Sequence, residues 1–371
     1  MTDLTYSDVE VDAAKGVSRF LQERWSHDRT ARLYDGDAGA SATTLAEQFA
    51  QQLGLETLLL PAQWGGGGAT AREAAAVIEE LGRSVAPLPY LFNAVACGLL
   101  AEAGADVVGR RVADEGSRAV VVSPLTSWMP EADMNVTMSA SGLSGMVGNV
   151  AGADSADFLV VPARQGSELV LVIAPRHQHS ILVREVSSLD MSRPLSEVTF
   201  AGATGEVIAS GPNVRDILFR SQELAAGLLA SEQLGVAQWC LDSTLDHVRT
   251  RYQFGRAIGS YQAVKHRLAD LWVEINGARA AARHAADQLA TDGVDRMVSV
   301  ALAQSYCSEV AVHAAEIAVQ LHGGIGMTWE HPVHLYLKRA KVDEVAWGTP
   351  DFHRTRLSQM VDLAQALDLP R

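Results

Sequence analysis

The stretch QAVKHRLADLWVEINGARAAA, residues 262–282, decides the fold of the last part of the chain. Its apolar residues are spaced by three and four positions, with arginine and aspartate on the opposite side, which is typical of an amphipathic helix. They are Val264, Leu268, Leu271, Ile275, Ala278 and Ala282. Residues 214–252 and 297–321 are also free of proline. We therefore expect a bundle of about four long helices.

Two other patterns precede this bundle. Up to about Glu115 helical spacing dominates, as in Leu45, Phe49 and Leu53 before Gly54, a residue suited to a helix C-cap. From 118 to 210 short apolar runs alternate with turn residues, which favours a small β-barrel or sandwich. These runs are Ala119–Val122, Phe158–Val161, Leu169–Ile173, Ile181–Val183 and Glu206–Ile208. The prediction is an α+β fold with a helical domain at 1–117, a β domain at 118–212 and a helical bundle at 213–371.

Composition excludes several classes of protein. A length of 371 residues predicts two or three packed domains. The net charge of −14, with no Lys/Arg block, argues against nucleic-acid binding. No apolar run approaches the roughly 18 residues that span a bilayer, and the acidic start MTDLTYSDVEV lacks the features of a signal peptide. Cys97, Cys240 and Cys307 form no CxxC pair, so reduced core thiols and a cytoplasmic location are predicted.

Two groups of residues suggest a phosphate site and a metal site, but the residues around them do not complete either one. Gly65–Gly68 lacks the Lys-Ser/Thr of a phosphate-binding P-loop and follows no strand–helix unit, so a turn is predicted there. His331 and His334, with His322 nearby, have no carboxylate or cysteine set to complete a metal site. No metal is predicted, and His331-Pro332 is expected to start a helix.

Four segments occur in a characteristic order along the whole chain. LGL at 53–55 is followed by LP at 60–61, GG at 65–66 and EELGR at 79–83; RYQFGRAIG at 251–259 is followed by Gln262; QLHGGIG occupies 320–326; RAK at 339–341 precedes GT at 348–349. In order and spacing these segments resemble the acyl-CoA dehydrogenase family, with its patterns LGL…LP…GG…EELGR, RxxFGxxI…Q and QxxGGxG. The resemblance implies the three-part fold above and FAD as cofactor.

In that family the C-terminal groups contact the ADP half of the FAD that the neighbouring subunit holds. The guanidinium of Arg251 suits phosphate oxygens, glutamine amides suit adenine or ribose, and glycines allow a close backbone approach. The cofactor-binding set that the resemblance implies is Arg251, Gln253, Phe254, Gln262, Gln320, Gly323, Gly324 and Thr349. From the residues alone, Arg251 could also be a surface arginine, and Gly323-Gly324 a helix C-cap.

The family's catalytic base is missing. FAD takes the β-hydride, and a carboxylate must take the α-proton. Most members place a glutamate just before the terminal Gly-Thr, where this chain has Trp347. A minority place it 29 residues before the Phe of the FG motif, and counting back from Phe254 gives Ala225. The weak substitutes are Asp351 and Glu223. Glu223 lies two residues before Ala225, and two residues along a helix correspond to a rotation of about 200°. Its side chain should therefore face away from the position of Ala225, and it is expected to be exposed.

The middle domain departs from the family as well. Members carry a TEPxAGSD segment that holds the flavin ring and the substrate carbonyl, and Ser123–Glu131 does not match it. Three hypotheses follow. The chain is the base-less partner in a heteromeric α2β2 dehydrogenase of an acyl-CoA, as in steroid side-chain degradation, whose members have a segment similar to HGGIG…WEHPVHLYLKRA. Alternatively, it is a homo-oligomeric acyl-CoA or acyl-carrier-protein dehydrogenase with a relocated base, or a non-enzymatic paralogue kept for assembly.

Overall fold

The elements follow the predicted order of helices, sheet and helices in the computed structural model, which describes residues 4–36, 39–128 and 135–361. The fold class is therefore confirmed. The N-terminal helices are α1 Asp8–Arg24, α2 His27–Arg32, α3 Gly39–Leu53, α4 Ala71–Ser84, α5 Tyr90–Glu102 and α6 Asp106–Glu115. Helix α3 ends where Gly54 takes a φ of +64°, a left-handed conformation that glycine adopts without strain.

The glycine run between α3 and α4 is a turn, as predicted. The Gly66 N–H donates to the carbonyl of Pro61 at 3.2 Å, and the Gly67 N–H donates to that of Thr57 at 3.0 Å. A Cβ atom on Gly66 would lie 2.4 Å from the Leu60 backbone. Glycine is therefore needed because the turn packs directly on the segment before it.

One eight-stranded sheet forms the middle of the chain, in the order β6-β7-β3-β2-β4-β5-β8, with β1 pairing in parallel with β4. The strands are β1 Ala119–Val121, β2 Val136–Ser139, β3 Gly142–Ala151, β4 Phe158–Gln165, β5 Glu168–Pro175, β6 Ile181–Val186, β7 Leu195–Ala203 and β8 Glu206–Ser210. The sequence patterns located five of these strands and missed β2, β3 and β7. The apolar faces of β4 and β5 pack into the core.

The C-terminal part is helical, as predicted, and its described residues form three long helices and two shorter ones. The elements are α7 Asn213–Thr250, α8 Gln262–Ala290, α9 Arg296–His322, α10 Val333–Asp343 and α11 Pro350–Met360. The stripe predicted on α8 is buried from Leu268 to Ala282. The backbones of helices α4 and α7 are in close contact at Gly82. A Cβ added to Gly82 would lie 2.1 Å from the carbonyl oxygen of Glu232, so only glycine fits there. This contact fixes the N-terminal helices against the bundle.

All three cysteines are buried and unpaired, as predicted. Among the helices of the described ranges, none is both long enough and apolar enough to cross a membrane.

A buried ion network joins the sheet to the bundle. Arg193, before β7, pairs with Glu232 of α7 and with Asp343 of α10 at 2.5 Å; Arg339 of α10 pairs with Glu232 at 2.5 Å and with Asp190. Burial opposes ionisation of Asp190, but Arg339 keeps its pKa below the usual range. Burial raises the pKa of Asp343 to about 7. The five side chains therefore depend on one another for their charge state.

Glu56 provides a pH-dependent contribution to stability. Its carboxylate accepts a hydrogen bond from Asn93 Nδ2 at 2.9 Å, and burial raises its pKa from 4.5 to about 7. The folded chain thus retains a proton that the unfolded chain has released. The resulting stabilisation is present below pH 4.5 and is lost as the pH rises through 7. We expect Glu56→Gln to remove this dependence, worth roughly 3 kcal/mol, when urea unfolding at pH 5 and pH 8 is compared.

Glu23→Gln is the matched control, because Glu23 is an exposed glutamate on α1. It should follow the wild-type pH profile. An unchanged profile for Glu56→Gln would mean that Glu56 is already ionised in the folded chain at neutral pH.

Candidate functional site

Ala225 and Trp347 line the same cavity, although they lie on α7 and on the loop before α11. These are the two positions where the resemblance places the base. The cavity has a volume of about 20 Å³, which is room for about one water molecule. Gln222 also lines it, and its buried Oε1 has no hydrogen-bond partner in the described part of the chain. The two positions converge, but the space between them is closed.

Trp347 forms a buried wall of that space. Its side chain is buried, and its ring centroid lies 5.8 Å from that of Phe92. The backbone N–H of Trp347 donates to the carbonyl of Leu125 at 2.8 Å, and His353 Nε2 donates to the backbone carbonyl of Trp347 at 2.9 Å. The φ of +49° at Trp347 is unfavourable for a bulky residue. These contacts fix the strained loop with Trp347 against the cavity.

The segment that departs from the flavin-holding pattern also packs on the chain itself. The Trp128 ring meets Phe219 edge-on at 6.2 Å and His353 edge-on at 5.1 Å. The Arg356 guanidinium lies 4.1 Å from the centre of the Trp128 ring. Residues 129–131 of this segment lie outside the described ranges. Its described part is therefore occupied by aromatic and cationic contacts within the chain.

The expectation that Glu223 is exposed is wrong. Glu223 is 0% exposed and pairs with Arg296 Nε at 2.9 Å. Burial raises its pKa, although Arg296 acts in the opposite direction. Glu223 does not line the cavity beside Ala225, in keeping with the rotation between the two positions. Asp351 is exposed on α11 and pairs with Arg354 at 2.8 Å, so neither carboxylate lies in the cavity.

Most residues of the implied cofactor-binding set gather at one end of the bundle. Helix α7 ends at 250, α8 begins at 262 and α9 ends at 322, so these three termini lie together. His247 and His322, whose rings are 4.4 Å apart, connect α7 to α9 there. The exposed members of the set at this end are Arg251, Gln253, Phe254, Gln262, Gln320, Gly323 and Gly324. We call this surface the bundle end.

Thr349 is separate from the bundle end. It is the N-cap of α11, where its hydroxyl accepts a hydrogen bond from the Phe352 N–H at 3.3 Å. It also lies two residues after Trp347, next to the closed cavity. The structure therefore divides the implied set between two places.

A hairpin at the bundle end exposes a phenylalanine at its tip. Strands β9 Tyr252–Gln253 and β10 Arg256–Ala257 are joined by Phe254 and Gly255, both with positive φ, +53° and +80°. Such two-residue turns favour Asn-Gly, because few side chains tolerate positive φ. Phe254 is 93% exposed. No contact within the described chain offsets the unfavourable φ of Phe254 or covers its ring. Such a combination is typical of a residue that contacts another molecule.

The glycine pair differs in what it requires. Gly323 has a φ of +65°, so its own backbone explains the residue. Gly324 has no such conformation, and a Cβ added there would meet nothing within 4 Å. Neither the backbone nor the packing of this chain therefore explains Gly324. Close approach by a molecule from outside would explain it.

The bundle end has residues that suit part of FAD, whereas the closed cavity at Trp347 is too small for its flavin ring. A flavin ring is far larger than a cavity of about 20 Å³, so the described residues around Trp347 do not fit it. The bundle end offers Arg251, an exposed cation, together with the exposed amide of Gln320 and the uncovered backbone of Gly324. That donor set fits the phosphate and adenine portion of a dinucleotide.

Three histidines lie behind the bundle end. The rings of His247, His322 and His331 follow one another at 4.4 and 4.2 Å, and His322 Nδ1 donates to the carbonyl of Ala318 at 2.7 Å. Burial lowers the pKa of all three, that of His331 to about 4. Within residues 4–36, 39–128 and 135–361, no group of three His, Cys, Asp or Glu residues is placed to hold a metal ion. Helix α10 begins just after Pro332, as predicted.

Sequence reasoning missed three residues that shape these places. Phe92 and Arg296 carry no local signal, since each is defined by a partner far along the chain. Trp128 had one, because it lies in the segment that departs from the family pattern.

Comparison with known proteins identifies the relatives of this chain. Residues 8–112 match the family model for the acyl-CoA dehydrogenase N-terminal domain, and residues 223–361 match the model for the C-terminal domain. Acyl-CoA dehydrogenase IpdE2 of Mycolicibacterium smegmatis is 33% identical over 311 residues, covering 84% of this chain and 86% of that protein.

Two solved structures share the fold. The ChsE4-ChsE5 complex from Mycobacterium tuberculosis contains a chain with a TM-score of 0.81 at 24% identity, covering 98% of this chain and 100% of that one. A variant of the Tcur3481-Tcur3483 steroid ACAD gives a TM-score of 0.82 at 24% identity, with 95% and 97% covered. At this level of identity the likeness establishes the fold alone.

Proposed function

The chain belongs to the acyl-CoA dehydrogenase family, and we propose that it is the base-less partner subunit of a heteromeric, FAD-dependent acyl-CoA dehydrogenase. The complex would remove an α-proton and a β-hydride from an acyl-CoA thioester, with the base on the other subunit. FAD, the cofactor of the family, supplies the hydride-accepting chemistry when it is bound. This chain would complete the FAD site from its bundle end.

The observation that supports this proposal most strongly is the cavity shared by Ala225 and Trp347. Neither of the two positions of the base holds a carboxylate, and the cavity that they both line has a volume of about 20 Å³. An acyl thioester and a flavin ring need far more space than a single water molecule. The chain would therefore act on another subunit's site rather than on its own.

Five residues of the bundle end have definite tasks in this proposal. Arg251 would donate to pyrophosphate oxygens from a position where its charge is exposed. Gln262 and Gln320 would bond the adenosine portion, and Gly324 would admit the cofactor against its backbone. Phe254 would leave solvent and pack against the other subunit, which would offset the strain of its φ of +53°.

The comparisons support a second subunit by analogy. Two of the solved structures that share the fold are named for pairs of different chains, and one of these is named a steroid ACAD. We therefore propose an α2β2 assembly, a steroid-derived acyl group as the first substrate to test, and a cytoplasmic location.

Expression with and without a partner tests the proposal. The chain is produced alone and together with the acyl-CoA dehydrogenase chain that co-purifies with it from its source. The visible flavin spectrum and dehydrogenation of acyl-CoA are then measured. We expect little flavin and little turnover from the chain alone, and both from the complex. A fully active homo-oligomer would overturn the proposal, and a stable complex without flavin would favour an assembly role.

Adding a carboxylate at position 347 should not create an enzyme. A general base is usually worth about 10²–10⁴ in rate, but Phe92 and Leu125 still crowd the cavity. We expect Trp347→Glu, assayed as an isolated chain, to stay at the background rate of Trp347→Gln, which has similar bulk but no base. Circular dichroism would establish that both variants fold. A hundredfold gain for the glutamate variant would mean that only the base was missing.

A further inference from the structure

A second and much larger cavity lies between the N-terminal helices, the sheet and α7. Its volume is about 480 Å³, within the range of roughly 300–1,000 Å³ that is usual for small-molecule sites. Phe92 lines both cavities, and Trp347 contacts Phe92 from the closed one. Phe92 therefore forms part of the wall between them, and we call the larger space the second cavity.

One side of the second cavity is apolar. It is lined by small and aliphatic side chains of α3, α4, the loop before α5 and the start of α5: Ala42, Ala46, Ile78, Leu81, Leu88 and Leu91. Such a surface gains free energy when an apolar molecule displaces water from it, at about 25 cal/mol per Å². The body of a ligand for this space should therefore be lipophilic.

The charged floor of the second cavity is already neutralised. Arg193, Glu232 and Arg339 line it, and all three are buried members of the ion network. Arg193 and Arg339 each pair with Glu232 and with a further aspartate. These side chains shape the cavity but leave no cation free for a ligand.

Arg118, the residue before β1, is different. Its Nη1 atom is buried and has no hydrogen-bond partner in the part of the chain that the structure describes. Asp157 accepts a bond at 2.9 Å from the Arg118 backbone N–H. Arg118 also lies close enough to Glu56 to oppose the rise that burial causes in its pKa, and the Glu56 carboxylate accepts a bond from Asn93. An unpaired buried donor costs about 1–3 kcal/mol, and more when it is charged. Arg118 lines the second cavity, so an acceptor that enters it would recover this energy once the side chain turns Nη1 toward the ligand.

The rim near Arg118 carries both signs of charge. Arg176 donates from Nε to the carbonyl of Ala156 at 2.7 Å, and it lies close enough to Asp154 to influence that carboxyl. Glu185 and His177 also line the rim. The rim therefore gives no strong preference for net ligand charge, and the unpaired donor of Arg118 sets the requirement instead.

We propose that the second cavity binds a lipophilic molecule that ends in an oxygen acceptor, a carboxylate or a carbonyl group, held by Arg118 Nη1. A ligand that ends only in a donor leaves Nη1 unpaired and gains nothing there. The second cavity is distinct from the bundle end, so such a ligand could bind whether or not the subunit role proposed above is correct.

Equilibrium dialysis with dodecanoate, 2-dodecanone and dodecylammonium tests the proposal on the purified chain, and again on the complex with the partner subunit alone as background. We expect the two oxygen-ended probes to bind at least about 10-fold more tightly than dodecylammonium, as one charge-assisted hydrogen bond would produce. The order of dodecanoate and 2-dodecanone tells which acceptor the site prefers. Equal binding of dodecylammonium would overturn the proposal.

Two variants locate the site. Arg118→Met should weaken both oxygen-ended probes about 10-fold or more and leave dodecylammonium unchanged, whereas Arg110→Met, at an exposed arginine on α6, should alter none of them. Ala42→Phe should weaken all three by filling the cavity, and it serves as the test if Arg118→Met does not fold. A photoactivatable dodecanoate should label α3, α4 or α5. Labelling elsewhere, or binding unaffected by both variants, would overturn the proposal.

Discussion

Replacing Arg251 with alanine is expected to strip most of the FAD from the complex that contains this chain. The guanidinium is exposed at the bundle end, where it can form charge-assisted bonds to pyrophosphate oxygens. Bonds of this kind contribute about 1.5–3 kcal/mol, which corresponds to a loss of roughly 10–150-fold in affinity. The ratio of flavin to protein after gel filtration, followed by a FAD titration of the stripped complex, measures the effect.

Arg249→Ala is the matched control for this prediction. Arg249 lies two residues earlier, is also exposed, and pairs only weakly with Asp246 at 3.7 Å. It should retain FAD at the wild-type level. If Arg251→Ala also retains FAD with unchanged affinity, the bundle end is not where this chain meets the cofactor. FAD bound tightly by the isolated chain would instead place the cofactor in a pocket of its own.

The helical parts of the fold were predictable because their signals are local. The stripe from Val264 to Ala282 is a property of one segment, and burial of its apolar side follows from helical geometry. Strands β4 and β5 were equally visible as buried apolar runs. Strand β3 was not, because GLSGMVGNVA contains three glycines and has no regular alternation. Strand β7 buries Ser196 along with Val198 and Phe200, so its buried face does not begin with an apolar residue.

The site was predictable only where it depended on position along the chain. Counting from Phe254 placed Ala225 at a family position, and the structure brings Ala225 and Trp347 to one cavity. The contact of Trp347 with Phe92 and the pairing of Glu223 with Arg296 depend on residues distant in sequence. No periodicity encodes such contacts, which explains why the predicted exposure of Glu223 was wrong. Helical rotation nevertheless gave the correct result that Glu223 does not face the cavity.

Replacing Arg339 with methionine is expected to produce the largest loss of stability among these variants. It would leave Asp190, Glu232 and Asp343 with Arg193 as the remaining cation of the buried network. Breaking a buried ion pair by removing one partner typically costs about 3–5 kcal/mol. We expect the thermal midpoint to fall by roughly 5–10 °C.

Lys338→Met separates this effect from the loss of any cation on α10. Lys338 is partly exposed and lies over the Tyr34 and Trp329 rings at 3.8 and 4.3 Å, a contact worth about 0.5–1 kcal/mol. Its midpoint should therefore fall by far less. Adding Asp190→Asn to Arg339→Met should recover part of the loss, because it removes a stranded charge. Equal midpoints for the two single variants would show that the network is hydrated and weak. Because Arg339 is far from the bundle end, folded Arg339→Met complex should retain its FAD, unlike Arg251→Ala.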